Sequence, residues 1–286
     1  MAAKLSKPIT LNEVCQLLGL SLDEDGEQQI EFISDSNVGG YNSICDYVKG
    51  QLPAKGTVLI TPQAVEGYTC LLAENPTVRL IKLINYVELE HGFEVLCESP
   101  KYGENVRIGK NTVIENGVVI GSNTVIEHNV VIHTGTVIGA HCVIRSGATI
   151  GGEGYGFVQD DEFILRQPFI GGVRLGDRVE VGYNCAIVRG AVEDTVLEDD
   201  VKLDNLVHIA HDVNIGKGST ITAGVSFCGY VCVGENTRIA PNATIKQRIN
   251  IGSNALVGLG AVVTKNVGNN EIVAGNPAKV LRTQKN

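Results

Sequence analysis

An apolar residue returns at every sixth position over most of the chain, and this spacing restricts the possible fold more than any other feature. In a chain with 43% apolar residues, a run of twelve such positions has a chance probability on the order of 10⁻⁵. The period therefore predicts a repetitive structure. Its members are Ile108, Ile114, Ile120, Ile126, Ile132, Ile138, Ile144 and Ile150, then Leu175, Val181 and Ile187, and, after a shift of four residues, Leu197, Leu203, Ile209, Ile215, Ile221, Phe227, Val233, Ile239, Ile245, Ile251, Val257 and Val263.

A second set of small or β-branched residues lies four positions after these residues. Two inward side chains in every six fit a tightly wound parallel solenoid and contradict the 3.6-residue period of an amphipathic helix. Glycine often follows the apolar position, where a corner needs backbone freedom. The second set comprises Thr112, Val118, Thr124, Val130, Thr136, Cys142, Ala148, Val201, Val207, Val213, Ser219, Val225, Val231, Thr237 and Ala243.

The pattern resembles the hexapeptide-repeat acyltransferases, and the match covers roughly residues 100–265. In that family three hexads form one triangular coil of a left-handed parallel β-helix. The resemblance implies a mainly β fold. It also implies a homotrimer whose active sites lie between neighbouring solenoids.

Three regions follow from this interpretation. We expect a small α/β domain at residues 1–100, which caps the solenoid or binds a nucleotide. The β-helix acyltransferase domain is expected at residues 101–265, and a C-terminal tail without a long helix at residues 266–286. Residues 152–173 interrupt the period, so we expect a loop insertion at a corner, where a solenoid tolerates extra residues.

Local signals support secondary structure in the first region. Residues 10–13 read Thr-Leu-Asn-Glu, a capping box before an apolar run, and Gly19 is a plausible C-cap. Residues 56–61 predict a short buried strand. Asn75 and Pro76 predict the start of a second helix.

Charge and composition exclude several classes of protein. With 23 Lys and Arg against 32 Asp and Glu, the net charge of −9 argues against a nucleic-acid surface. Eight cysteines without a regular framework are typical of reduced thiols in a cytoplasm. The chain starts without the apolar core of a signal peptide and contains no membrane-spanning run, so we expect a soluble cytoplasmic protein without membrane insertion.

The segment around His211 carries the candidate chemistry. His211 is outside the inward set, and Gly229 follows it by one coil, so stacking would bring the two about 4.8 Å apart. An imidazole can accept a proton from an attacking amine, and a glycine N–H can donate to the oxyanion of a thioester intermediate. Either Asp212 or Asp204 could orient the imidazole.

Longer motifs resemble one branch of the family, the UDP-3-O-acylglucosamine N-acyltransferases of lipid A synthesis. They lie at 150–157, 189–195 and 202–211, and residues 71–80 resemble that branch's extra nucleotide-binding domain. The resemblance implies that His211 is the general base and Gly229 the oxyanion donor. It also implies a nucleotide-linked amino sugar as substrate. The expected contacts to this substrate are Asn205, His208, Arg189, and a covering loop with Tyr155 and Phe157.

The chain departs from that branch in ways that bear on the acyl donor. Residues 246–248 read Lys-Gln-Arg where the branch has a second histidine, and residues 275–279 read Gly-Asn-Pro-Ala-Lys, as in many CoA-dependent acetyltransferases. We therefore expect an N-acyltransferase that uses acyl-CoA and acts on a nucleotide-linked amino sugar for surface polysaccharide or lipopolysaccharide. The alternative is the lipid A enzyme with acyl carrier protein (ACP). Candidate donor contacts are Lys246, Arg248, Lys265, Lys279 and Arg282.

Other interpretations stay open at this point. His128 and His133 have the spacing of two zinc ligands in hexapeptide-repeat carbonic anhydrases, with His91 as the nearest third candidate. A non-catalytic trimeric scaffold would need no chemistry at His211, and an O-acetyltransferase would not need the N-terminal domain. The departing thiolate could also replace His211 as the base. We assign no metal ligand and no bound cofactor, since acyl-CoA or acyl-ACP would be a co-substrate.

Overall fold

The six-residue period sets the path of the backbone. Each hexad supplies a short strand and a corner, and strands one coil apart pair in parallel, as Val125 does with Val143 and His208 with Ser226. The computed structural model describes residues 3–22, 26–36, 38–161 and 163–284. The repeat region forms the left-handed parallel β-helix that the spacing and the resemblance predict.

The chain divides into two units. The first contains residues 1–94, 155–171 and 191–193, and the second contains residues 95–154, 172–190 and 194–286. The first unit thus includes two segments from within the repeat region. One coincides with the break in the period, and the other coincides with the four-residue shift.

The first unit is built around a five-stranded sheet and two helices. Strand β1 is antiparallel to β2, and the remaining neighbours are parallel, in the order β1-β2-β3-β4-β5. The bounds are β1 Ala3–Thr10, α1 Leu11–Leu18, β2 Gln29–Ile33, β3 Ser43–Asp46, β4 Val58–Thr61, β5 Cys70–Leu72 and α2 Pro76–Glu90.

The local signals in this unit are confirmed. Thr10 and Glu13 form a complete capping box at the start of α1, and Gly19 closes the helix in the left-handed conformation at φ 62°. All four residues of β4 are buried, within the strand predicted at 56–61. Pro76 begins α2, as expected. Neither described helix has the length and apolar character needed to cross a membrane.

The repeat strands are short and follow one another in chain order. The bounds are β6 Lys101–Tyr102, β7 Arg107–Ile108, β8 Val113–Ile114, β9 Val119–Ile120, β10 Val125–Ile126, β11 Val131–Ile132, β12 Thr136–Ile138, β13 Val143–Ile144, β14 Thr149–Gly152, β15 Phe157–Asp160, β16 Phe163–Arg166, β17 Val173–Leu175, β18 Glu180–Val181, β19 Ala186–Val188, β20 Thr195–Leu197, β21 Lys202–Leu203, β22 His208–Ile209, β23 Asn214–Ile215, β24 Thr220–Ile221, β25 Ser226–Phe227, β26 Cys232–Val233, β27 Arg238–Ile239, β28 Thr244–Ile245, β29 Asn250–Ile251, β30 Leu256–Val257, β31 Val262–Val263, β32 Glu271–Ala274 and β33 Lys279–Thr283.

Apart from β15 and β16, which pair with each other, these strands form the three faces of the solenoid. One face is β31-β28-β25-β22-β19-β14-β11-β8, another is β29-β26-β23-β20-β17-β12-β9-β6, and the third is β33-β32-β30-β27-β24-β21-β18-β13-β10-β7. Residues 266–286, expected as a tail, add the antiparallel pair β32 and β33 to the third face.

Both predicted inward sets form the core of the second unit. All twelve apolar positions from Leu197 to Val263 are at most 5% exposed. The first coil departs from the pattern, because Ile108 is 45% exposed and Thr112 and Ile114 are half-buried.

The corners explain the many asparagines of the repeat. Three residues after the inward position the backbone often adopts a left-handed conformation, for example at Asn123, Asn129 and Asn242, with φ of 61°, 57° and 59°. Among non-glycine residues, asparagine adopts this conformation most readily. Neighbouring corner asparagines also bond to each other, since Asn105 Nδ2 donates to Asn123 Oδ1 over 3.2 Å.

The insertion at residues 152–173 contains a hairpin of β15 and β16, which belongs to the first unit. Phe169 is buried, Ile170 packs against the apolar core of that unit, and Lys82 pairs with Asp160 at 2.7 Å. The inserted segment is therefore held by the α/β unit.

The stacked core allows a direct test. Replacing Ile239 by Ala removes a fully buried side chain and should cost about 2–5 kcal/mol of stability. Arg238→Ala changes the exposed neighbour on the same strand and should leave stability almost unchanged. Urea unfolding followed by circular dichroism checks both, and equal destabilisation would contradict the inward-outward assignment.

Candidate active site

A histidine and an aspartate occupy one corner of the solenoid, directly after β22. The Nδ1 atom of His211 lies 2.7 Å from Oδ2 of Asp212, and the two side chains are 22% and 10% exposed. The backbone N–H of Asp212 donates to Oγ1 of buried Thr195 over 2.9 Å, which holds the backbone of Asp212 at this corner. Because a carboxylate only accepts hydrogen bonds, Nδ1 carries the proton and Nε2 is left as the acceptor.

Gly229 stacks on this imidazole, as the one-coil spacing predicts. Strand β25 pairs with β22, and the N–H of Tyr230 donates to the carbonyl of His211 over 3.1 Å. A Cβ atom at Gly229 would lie 2.5 Å from Cε1 and 2.6 Å from Nε2 of His211. Only glycine fits here without moving the ring. Within the described part of the chain, no acceptor is bonded to the Gly229 N–H.

The structure decides between the two candidate aspartates. Asp204 lies at the corner before β22, whereas His211 lies at the corner after it. The Asp204 carboxylate accepts a hydrogen bond from the N–H of Asn205 over 2.8 Å. Asp212, and not Asp204, therefore lies against the imidazole, which leaves Asp212 as the candidate to orient the base.

The two predicted substrate contacts beside His211 differ in their surroundings. His208 projects outward from β22 and is exposed, but partial burial lowers the pKa of its imidazole below the ordinary value. This favours the neutral form at pH 7. Asn205 supports the neighbouring coil, since its Oδ1 accepts from the N–H of Tyr183 over 2.8 Å.

A second polar cluster surrounds Arg189 on the same face of the solenoid. Its Nη2 donates to the carbonyl of Thr134 over 2.8 Å. His133 Nδ1 lies 3.0 Å from Oε1 of Glu115, whose Oε2 accepts from the N–H of Thr134 over 2.9 Å. Although burial opposes it, these hydrogen bonds hold the pKa of the Glu115 carboxyl below its usual range.

Sequence reasoning found Arg189 but missed Glu115 and the pairing of His133. A signal was available, because Glu115 and His133 are one coil apart, like His211 and Gly229. Gly152 is a further signal, since a Cβ atom there would lie 3.7 Å from His133 Nε2. Glycine thus follows a histidine by about one coil at both places.

The expected loop residues lie in the first unit. Tyr155 is 90% exposed and packs edge-on against Phe157 with ring centroids 4.9 Å apart, and Arg166 lies 5.6 Å from the Phe157 centroid. A covering role for Tyr155 and Phe157 stays a prediction.

The candidate donor contacts fall into two groups. Lys246 and Arg248 follow β28, and Lys265 follows β31, so all three extend the face that carries His211. The guanidinium carbon of Arg248 lies 4.3 Å from the ring centroid of Tyr230. Lys279 and Arg282 lie on exposed strand β33 of a different face.

The zinc alternative lacks a ligand set. Within residues 3–22, 26–36, 38–161 and 163–284, no three His, Cys, Asp or Glu side chains are grouped as a metal site. His128 Nδ1 accepts from the N–H of Lys110 over 2.8 Å, and His91 Nδ1 lies 3.2 Å from the carbonyl of Lys7. His133 is paired with Glu115.

Known proteins resemble the chain in both sequence and fold. Residues 103–134 and 117–152 match the family described as bacterial transferase hexapeptide (six repeats). A UDP-3-O-acylglucosamine N-acyltransferase of Pseudomonas syringae pv. tomato is 30% identical over 254 residues, which cover 77% of this chain and 72% of that protein. One from Delftia acidovorans is 34% identical over 123 residues, which cover 43% of this chain and 37% of that protein.

Similarity extends to solved structures. The UDP-N-acetylglucosamine acyltransferase of Francisella novicida is 26% identical to this chain and aligns with it at a TM-score of 0.60. The aligned region covers 66% of this chain and 68% of that protein. In sequence, the chain spans about two fifths of the length of the first curated relatives it matches.

The contact between Gly229 and His211 can be tested by adding one methyl group. Gly229→Ala places a carbon 2.5 Å from His211 Cε1, so we expect the imidazole to move and its 2.7 Å contact with Asp212 to break. Gly152→Ala is the control, because its methyl meets nothing closer than 3.7 Å. Crystal structures of both variants would check this, and an unmoved ring in Gly229→Ala would refute the stacking.

Proposed function

The chain belongs to the family of the UDP-3-O-acylglucosamine N-acyltransferases, and we propose that it transfers an acyl group from a thioester to the amine of UDP-3-O-acylglucosamine. The observation that carries the proposal is the stack of Gly229 on the His211–Asp212 pair. It combines a base and an oxyanion donor at one corner, which is what acyl transfer to an amine requires.

The reaction proceeds by addition and elimination. The amine nitrogen attacks the thioester carbonyl, and His211 Nε2 accepts the proton that the nitrogen loses. The oxyanion that forms accepts a hydrogen bond from the Gly229 N–H, a contact whose removal in other enzymes costs roughly 2.7–4 kcal/mol. The C–S bond then breaks, the carbonyl re-forms as an amide, and the proton passes to the departing thiolate.

Asp212 contributes by its charge and by its position. It accepts the Nδ1–H of His211 over 2.7 Å, so Nε2 stays unprotonated and faces the reacting atoms. When His211 takes up the proton, the carboxylate stabilises the imidazolium. The low exposure of both side chains strengthens this interaction.

Arg189 and His133 provide a place for the anionic part of the acceptor. A guanidinium and an imidazole lie on the face that also carries His211, and the pyrophosphate of a nucleotide sugar offers charge-assisted acceptors for both. Nucleotide binding by the first unit stays a prediction from the resemblance. The homotrimer and the cytoplasmic location stay predictions from the sequence.

The acyl donor is a separate question. Lys246, Arg248 and Lys265 provide three cations on the face of His211, and a phosphopantetheine arm carries a phosphate whether it belongs to CoA or to ACP. The names of the relatives favour UDP-3-O-acylglucosamine as the acceptor over the other nucleotide-linked amino sugars that the sequence suggested. An acyl-CoA enzyme for another nucleotide-linked amino sugar is the second candidate, supported by the Lys-Gln-Arg stretch at 246–248 and the Gly-Asn-Pro-Ala-Lys stretch at 275–279.

A four-way assay tests the proposal. The purified protein is incubated with UDP-3-O-acylglucosamine or with a UDP-linked amino sugar lacking the 3-O-acyl chain, each with acyl-ACP or acyl-CoA. We expect amide product from UDP-3-O-acylglucosamine. Product from the other sugar alone would favour the second candidate, and no product in any arm would support a scaffold.

The role of His211 as the base is tested with the pair of substrates that gives product in this assay. His211→Ala should lower kcat by about a hundredfold or more, as expected for loss of general base catalysis. Size-exclusion chromatography would confirm that the assembly state is unchanged. A decrease below about fivefold would mean that the departing thiolate takes the proton directly, which would refute the role of His211 but not the reaction.

The proposed site for the pyrophosphate at Arg189 and His133 predicts a different change in the kinetic constants. Arg189→Ala should raise KM for the nucleotide sugar about tenfold with little change in kcat, because the lost contact binds ground state and transition state alike. Arg145→Ala is the matched control, since Arg145 is bonded to Glu127 on another face. Initial-rate kinetics would check both, and an unchanged KM in Arg189→Ala would contradict the assignment.

A further inference from the structure

The corner that carries His211 holds no asparagine at its left-handed position on three successive coils. Three successive coils place Asp212, Tyr230 and Arg248 there, all in the left-handed conformation, with φ of 55°, 60° and 59°. Elsewhere in the repeat this position is commonly asparagine, as at Asn236 and Asn254.

Tyrosine and arginine are poor choices for that backbone. In the left-handed region every Cβ atom crowds the carbonyl, and tyrosine and arginine lack the short polar side chain whose local hydrogen bonds let asparagine tolerate it. Such unfavourable conformations concentrate at functional sites, where the surrounding structure maintains them. The left-handed conformation does not by itself single out Tyr230 and Arg248, because Arg178 and Leu206 adopt it at other corners, so the contacts of the two side chains decide what they do.

The contacts show what Tyr230 does. Its ring packs edge to face against the imidazole of His211, with centroids 5.1 Å apart and planes at 89°. Asp212 holds Nδ1, and Gly229 covers the Cε1–Nε2 edge. The imidazole therefore has Asp212, Gly229 and Tyr230 among its neighbours, and Tyr230 contributes an aromatic contact.

Arg248 supports the tyrosine from the next coil. Its guanidinium carbon lies 4.3 Å from the Tyr230 centroid, a cation–π contact. Its backbone N–H donates to the carbonyl of Gly229 over 3.0 Å, which fixes the start of the side chain. Arg248, Tyr230 and His211 thus form a continuous stack along one edge of the solenoid.

We propose that Tyr230 is a positioning residue for His211 and that Arg248 holds Tyr230 in place. The tyrosine ring keeps the imidazole in the rotamer in which Nδ1 meets Asp212 and Nε2 faces the acceptor amine. This inference rests on the proposed function, because it assigns Tyr230 a task in catalysis only where His211 is the base.

The corner pattern supplies a variant that should preserve the fold. Tyr230→Asn introduces the residue that this backbone conformation favours, so we expect thermal stability to be retained. kcat should fall at least tenfold while KM for both substrates stays within about twofold, because a misplaced base affects the transition state alone. Tyr230→Phe keeps the ring and should retain kcat within about twofold of the natural protein.

His141→Asn is the matched control. His141 also occupies a left-handed corner, with φ of 58°, but lies on a coil far from His211 in the repeat. The same change there should leave kcat and KM unaltered. A folded Tyr230→Asn protein with unaltered kcat would overturn the proposal, as would a Tyr230→Phe protein as impaired as Tyr230→Asn.

A second measurement is independent of turnover. The Cε1–H and Cδ2–H signals of His211, assigned by their absence in His211→Ala, report the surroundings of the ring in NMR spectra. We expect them to shift and broaden in Tyr230→Asn and Arg248→Asn and to stay close to the natural positions in Tyr230→Phe. Unchanged signals in Tyr230→Asn would overturn the positioning role, even if no acyl transfer were found.

Discussion

Parallel pairing in steps of one coil is the constraint on which the rest of the second unit depends. Each hydrogen-bonded step places a residue directly beside the residue one coil earlier, as Val125 pairs with Val143 and Ile209 with Phe227. Inward residues therefore stack as columns of apolar side chains, and outward residues stack as columns on the surface. A short local repeat thereby determines long-range contacts.

The same register assembles the proposed active site at the corner that carries His211. It places Gly229 beside His211, and it places Tyr230 and Arg248 on the coils that follow Asp212 at the same corner. Because adjacent coils are about 4.8 Å apart, the proposed base and oxyanion donor on successive coils are at a separation that a tetrahedral intermediate can bridge. The polar groups at such a site thus depend on which residue each surface column of stacked side chains repeats, and on the coils at which a different residue replaces it.

Much of this arrangement is predictable from the amino-acid sequence. The period predicts the inward residues, because burial follows the count of six, and counting one coil places Gly229 on His211. Glu115 and His133 obey the same count but are easily overlooked, since a lone carboxylate on an outward position resembles ordinary solvated surface. The bond between Arg189 and Thr134 escapes this count, because the insertion separates the two residues by 55 positions.

The sequence by itself determined the solenoid, its register, the capping of α1 and the pairing of a histidine with a glycine, because each depends on local spacing or on a fixed step along the chain. The tertiary structure alone decided that Asp212 rather than Asp204 meets His211, since the two carboxylates lie on opposite sides of one short strand. It also decided that the hairpin at 157–166 belongs to the α/β unit. Which apolar surface an insertion buries depends on shape complementarity between distant segments, and no repeat in the sequence encodes it.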